Sequence, residues 1–196
     1  MLLNITNISQ LAIMNKTLIN DKYLLSDILF ECKCVLYFID VSKTASFNYI
    51  RNINKKINTK SYTIKVIVLN KSDLISEVNE DELNQFAIDA KINNIIKVSL
   101  LTNTNYVQLL DKFYTIVYES IYDFKVNPIY DIAQENQFYY TQKEKPVPLN
   151  ILVLGSSEIG KTYLVRRYIK DSFNEHTLES IGMDFASKYI KIGWNI

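Results

Sequence analysis

Asn150-Ile151-Leu152-Val153-Leu154-Gly155-Ser156-Ser157-Glu158-Ile159-Gly160-Lys161-Thr162 joins an apolar run to a glycine-bracketed turn. Ile151 to Leu154 predicts a buried strand, and Leu164, Val165, Tyr168 and Ile169 share one face of a helix that follows. The turn between them has the spacing G-x-x-x-x-G-K-[ST], a phosphate-binding loop when strand and helix flank it, as they do here. Gly155 and Gly160 let the backbone curl so that successive N–H groups, through Ser157, Glu158 and Ile159, face phosphate oxygens. The helix N-terminus adds partial positive charge. Lys161 is placed to reach the outer phosphates, and the Thr162 hydroxyl to ligate Mg²⁺.

A second motif leaves another apolar strand. Val66-Ile67-Val68-Leu69 runs into Asn70-Lys71-Ser72-Asp73. A carboxylate at Asp73 can accept two hydrogen bonds from the N1–H and exocyclic amine of guanine. Adenine offers no such pair, so a buried, unpaired carboxylate would reject it. Lys71 would lay its aliphatic stem along the base. The same tetrapeptide also suits a solvated turn. Its pairing with a phosphate loop favours the base-reading role.

Asn-Lys-x-Asp is the guanine-recognition element of Ras-like GTPases, and further stretches resemble the Rab branch of that superfamily. Ile181-Gly182-Met183-Asp184-Phe185 resembles the Rab Ile-Gly-x-Asp-Phe stretch, and Arg166 to Phe173 resembles the end of a Rab first helix. The resemblance implies that Ser180, where Rab proteins carry threonine, joins Thr162 on Mg²⁺. It implies that Phe173 packs on the guanine edge, and that Ser99, Leu100 and Leu101 stand for the Ser-Ala-Lys loop at the guanine carbonyl. Ser99 matches that loop; Leu100 and Leu101 do not, although the base contact uses backbone N–H. The cofactors implied are GTP or GDP and Mg²⁺, with effector or regulator proteins as partners.

The motifs stand in the reverse of Rab order. The guanine motif at 70–73 precedes the phosphate loop at 155–162, and Gly193-Trp194-Asn195-Ile196 falls where a Rab would enter the strand leading to Asp-x-x-Gly. The four glycines are at 155, 160, 182 and 193, so the first 154 residues hold no Asp-x-x-Gly. The nearest remnant is a strand-like Leu2 to Ser9, with Asn and Ser where Asp and Gly belong. Three architectures account for this order. The chain is one circularly permuted domain, an interior piece of tandem Rab-like domains, or half of a swapped dimer. Ancestry favours the tandem piece and folding favours permutation, and the two are compatible. Residues 1–123 form the back half, 124–148 a linker, and 149–196 the front half. A 25-residue flexible tether spans roughly 25–30 Å, enough for closure.

Composition narrows the class. A formal net charge of +1 gives no electrostatic reason to expect nucleic-acid or membrane binding. Cys32 and Cys34 are expected as reduced core thiols, and with His176 alone no His-based catalytic dyad is expected within the chain. No 18-residue apolar run, signal peptide or C-terminal lipidation cysteine is present, so a cytoplasmic protein, at most peripheral to intracellular membranes, is expected. Helices are predicted over Leu11–Glu31, Phe47–Ile57, Asp81–Lys91 and Tyr106–Tyr122, and strands over Cys34–Asp40, Ile64–Leu69 and Ile95–Val98. Their alternation predicts an α/β fold: a P-loop NTPase with a mostly parallel, Ras-like sheet covered on both faces. All three prolines lie within 124–148. Tyr130 and Phe138-Tyr139-Tyr140 there either lie on the domain surface or bind a partner.

The resemblance implies a small GTPase of vesicle trafficking. Hydrolysis in that family needs a glutamine just after Asp-x-x-Gly to orient water. That element is missing, so turnover is expected to be slow or absent, and no catalytic residue is assigned. The alternative is a non-catalytic pseudo-GTPase that serves as a protein-interaction module.

Overall fold

A computed structural model of the chain describes residues 2–8, 32–57, 63–122, 148–170 and 183–189. The strand Cys32–Asp40 (β2) sets the layering. Its side chains alternate between two cores: Val35, Tyr37 and Ile39 face one, while Cys34, Leu36 and Phe38 face the other. Both faces of such a strand are apolar, which requires helices on both sides. A register shift between Cys32 and Cys34 sends these thiols to opposite cores, where both are buried and neither forms a disulfide. Burial drives the Cys34 thiol far above its ordinary range, which keeps it inert.

The remaining elements follow in chain order. Leu2–Ile8 is β1; Thr44–Lys56 is α1; Ile64–Asn70 is β3; Glu80–Asp89 is α2; Asn94–Lys97 is β4. Tyr106–Tyr122 is α3, Pro148–Leu154 is β5, Lys161–Lys170 is α4 and Met183–Tyr189 is β6. The strands form one sheet in the order β4-β3-β2-β5-β1-β6. Every neighbouring pair is parallel except β1 with β6. The expected mostly parallel α/β sheet is therefore present. Helices α1 and α2 cover one face through Phe47, Ile50, Ile53, Leu83 and Ala87, with Phe47 and Phe86 meeting edge to face at 5.7 Å. The opposite face is covered by α3 and α4 through Leu109, Phe113, Leu164, Val165 and Tyr168.

Strand β5, late in the chain, sits between β1 and β2, both early. Its Ile151, Leu152, Val153 and Leu154 are at most 1% exposed and feed both cores. Each such side chain contributes about 1.5–3 kcal/mol of burial, so β5 and α4 share their interior with the described strands and helices that precede residue 123. Pro148, predicted as the end of the linker, is the first residue of β5. The helix predicted over Leu11–Glu31 and linker residues 124–147 lie outside the described residues, as do the linker aromatics. No described helix is long and apolar enough to cross a membrane.

The topology brings three loops to one edge. Strands β2, β3 and β5 are mutually parallel, so the segments after Asp40, Asn70 and Leu154 leave the same end of the sheet. This is where ligands bind in open α/β folds.

Candidate functional site

The loop after β5 is shaped by its two glycines. A Cβ on Gly155 would collide with Ile159 Cδ1 and lie 2.7 Å from the Phe38 carbonyl oxygen. At Gly160, φ is +100°, and a Cβ would stand 2.6 Å from Asn70 Nδ2. Both positions therefore require glycine, one for close approach and one also for backbone conformation. Glu158 adopts φ of 60°, a region that ordinary side chains visit at a cost, and its side chain is exposed. The α4 helix begins at Lys161, so the loop ends on a helix N-terminus.

Lys161 is only 6% exposed, and its ammonium donates to the Ser156 carbonyl at 2.5 Å. Burial lowers its pKa to about 8. A buried cation is thus held across the mouth of a backbone curl. Thr162 lies half-buried in the same first turn, and Ser157 is half-buried on the loop.

Asn70, the last residue of β3, ties this loop to its neighbour. Its Nδ2 donates to the Ile159 carbonyl at 2.8 Å, and its Oδ1 accepts from the Leu100 N–H at 3.2 Å. The side chain spans 89 residues of sequence to reach Ile159. Ser99 is fully buried; its Oγ accepts from Thr102 N–H at 3.1 Å and its N–H donates to the Thr104 carbonyl at 3.0 Å. The loop carrying Leu100 is thereby fixed. Leu101 follows it at the surface, 61% exposed.

Lys71 has φ of 62°, and its ammonium pairs with Asp40 Oδ2 at 2.6 Å. Asp73 lies at the surface. A desolvation penalty at Asp73 therefore arises only when a base covers it. Phe173 and Ser180 lie outside the described residues. Among the described residues, no cluster of three or more His, Cys, Asp or Glu could hold a metal ion.

Two residues of this region were not legible as site residues. Asp40 ends β2 fully buried, and its Oδ1 accepts from Ser42 N–H at 3.0 Å and Ser42 Oγ at 2.7 Å. Burial raises its pKa, but the bonds from Lys71 and Ser42 outweigh that and hold the carboxyl below its usual range. Its contribution to stability is present above the ordinary carboxylate pKa and is lost as pH falls through the lower folded value. A lone acid ending an otherwise apolar run, Cys34 to Ile39, was the available clue. Arg167 is the second: its Nη1 donates to the Leu100 carbonyl at 2.6 Å, and its guanidinium lies 4.8 Å from the Tyr106 ring centroid. No local pattern in the helix marks it.

The assembled site offers a glycine-bracketed loop ending on a helix N-terminus, one buried cation at that N-terminus, and beside them a fixed loop pair ending in an exposed carboxylate. That combination suits a ligand with a polyanionic tail and a donor-bearing edge. Residues 22–119, half of the chain, match the model of the Ras family. The chain belongs to the Ras family.

A second stretch, residues 150–195, matches the model of the Ras of Complex (Roc) domain of DAPkinase. Rab proteins are among the relatives of this Ras-family chain. It is 46% identical over 41 residues to the human Ras-related protein Rab-7L1, covering 21% of this chain and 20% of that protein. It is 36% identical over 44 residues to the Saccharomyces cerevisiae Ypt/Rab-type GTPase YPT7, covering 22% and 21%. With the Dictyostelium discoideum Ras-related protein Rab-11C it shares 35% over 51 residues, covering 26% and 23%. The aligned stretch thus spans about a fifth of the length of these curated relatives. The recognition of a Rab-like member of the Ras superfamily stands.

Proposed function

We propose that this Ras-family chain binds GTP or GDP with Mg²⁺ at one site built from both motifs, as a Rab-like small GTPase domain of permuted motif order. In this reading residues 1–123 act as the back half, 149–196 as the front half, and 124–148 join them. The Asn70 side chain carries the reading, because it bonds the phosphate loop at Ile159 and the Leu100 loop at once. Backbone N–H groups from Gly155 to Gly160 and the Lys161 ammonium hold the phosphates. Asp73 accepts from guanine, Lys71 lies along it, and Phe173 packs on its edge. Thr162 and Ser180 offer hydroxyl oxygens, which suit a hard cation such as Mg²⁺.

Hydrolysis is slow or absent in this account, since the glycine-bearing element that positions water is missing before residue 155. The non-catalytic reading draws support from Glu158, a carboxylate on the phosphate loop itself. A cytoplasmic role in vesicle trafficking, with effector or regulator proteins, follows from the Rab resemblance. Titration of nucleotide-free chain with fluorescent GDP, followed by GTP turnover, tests the proposal. Saturable, Mg²⁺-dependent binding at one nucleotide per chain is expected; no binding by either GDP or GTP would end it.

The pKa of Lys161 gives the proposal a pH signature. Free Lys161 titrates near pH 8, and a phosphate partner stabilises the protonated form, so binding takes up a proton around that pH. Affinity should weaken as pH rises through 8, approaching about tenfold per unit. Calorimetry at pH 8 in buffers of different ionisation heats should register the uptake, and flat affinity to pH 9 would contradict it.

A further inference from the structure

The proposed site contains a hydrogen-bonded circuit that its motifs do not explain. Asn70 Nδ2 reaches the phosphate loop at Ile159, and that loop runs directly into α4. From the second turn of α4, Arg167 returns to the Leu100 carbonyl at 2.6 Å, while the Leu100 N–H donates to Asn70 Oδ1 at 3.2 Å. The circuit therefore closes on itself. Tyr106, at the start of α3, lies under the guanidinium and restricts its orientation.

The bond to Leu100 has a specific geometric consequence. A peptide group is planar and trans, so the Leu101 N–H points opposite to the Leu100 carbonyl. By holding that carbonyl toward α4, Arg167 turns the Leu101 N–H away from α4. The Leu100 N–H is already engaged by Asn70, which makes Leu101 the next backbone donor of the loop. Arginine suits this task because its planar fork is preorganised and always charged.

We propose that Arg167 is a positioning residue for base selection: it sets the Leu100–Leu101 peptide so that the Leu101 N–H reads a carbonyl on the purine. The inference rests on the guanine-nucleotide reading and adds a determinant outside both motifs. Selectivity for a 6-oxo purine then depends on a residue of the phosphate-loop helix, and phosphate binding and base reading become mechanically joined.

The test uses the full chain and measures affinity for GDP, IDP and ADP by competition against fluorescent GDP. GDP and IDP both carry the 6-oxo group, whereas ADP lacks it. Arg167→Ala should weaken GDP and IDP together by about tenfold and leave ADP unchanged, so selectivity falls by that factor. Arg167→Lys should recover part of it. Leu101→Pro removes the donor itself without touching Arg167, and should lose the same selectivity; it keeps the inference testable if Arg167→Ala folds poorly. Parallel loss of all three nucleotides in Arg167→Ala, or unchanged selectivity in Leu101→Pro, would overturn the inference. Failure of the wild-type chain to bind GDP would overturn the underlying reading instead, and this inference with it.

Discussion

Lys161→Ala is expected to lower affinity for GDP and GTP by at least about a hundredfold, while leaving the fold intact. The loss follows from position. Lys161 begins α4 and is 6% exposed, so its attraction for a phosphate is weakly screened. Charge-assisted hydrogen bonds are the stronger kind, and losing two or more from one ammonium corresponds to about 3 kcal/mol or beyond. Arg166 is exposed and Arg167 is committed to the Leu100 carbonyl, so neither takes over. The fold should survive because burial disfavours the Lys161 charge, as its lowered pKa of about 8 records. Removing a charge that the interior disfavours costs little stability. Fluorescent-nucleotide titration with a thermal melt checks both halves of this expectation. Equal binding by variant and wild type would remove the phosphate-loop assignment.

Asp73→Asn is expected to weaken GTP by about a hundredfold and to favour XTP. A carboxylate accepts from both the N1–H and the exocyclic amine of guanine; an amide offers a donor where xanthine presents a carbonyl. Sites built to hydrogen-bond one ligand reject its analogue strongly, because polar groups are then left unpaired. Asp73 is exposed in this structure, so the substitution removes no buried contact and its effect on stability should be small. Competition of GTP against XTP on variant and wild type measures the change. A variant that keeps full GTP preference would reduce Asn70–Asp73 to a turn.

The sequence announced the parts of this fold whose signals are local. Apolar runs at Val66–Leu69 and Ile151–Leu154 marked the central strands, and glycine spacing marked the loop at 155–160. Leu2–Ile8 was a weaker signal, because Asn4, Thr6 and Asn7 interrupt its apolar pattern; pairing on both sides, with β5 and β6, makes it a strand. The place of β5 between two early strands depends on pairing across well over a hundred residues, which no local pattern encodes. The same reason hid Asp40 and Arg167. Asp40 acquires its role from Lys71, and Arg167 from Leu100, 67 residues away.

The most direct test of the central claim asks whether both motifs of one chain serve one site. Lys161→Ala and Asp73→Asn chains, each impaired for GTP, are unfolded together, refolded as a mixture and titrated with GTP. Closure within each chain predicts one nucleotide per wild-type chain and no recovery in the mixture, because every chain carries one broken half. Recovery of wild-type affinity in a fraction of the mixed sites would contradict that account and establish a site shared between two chains.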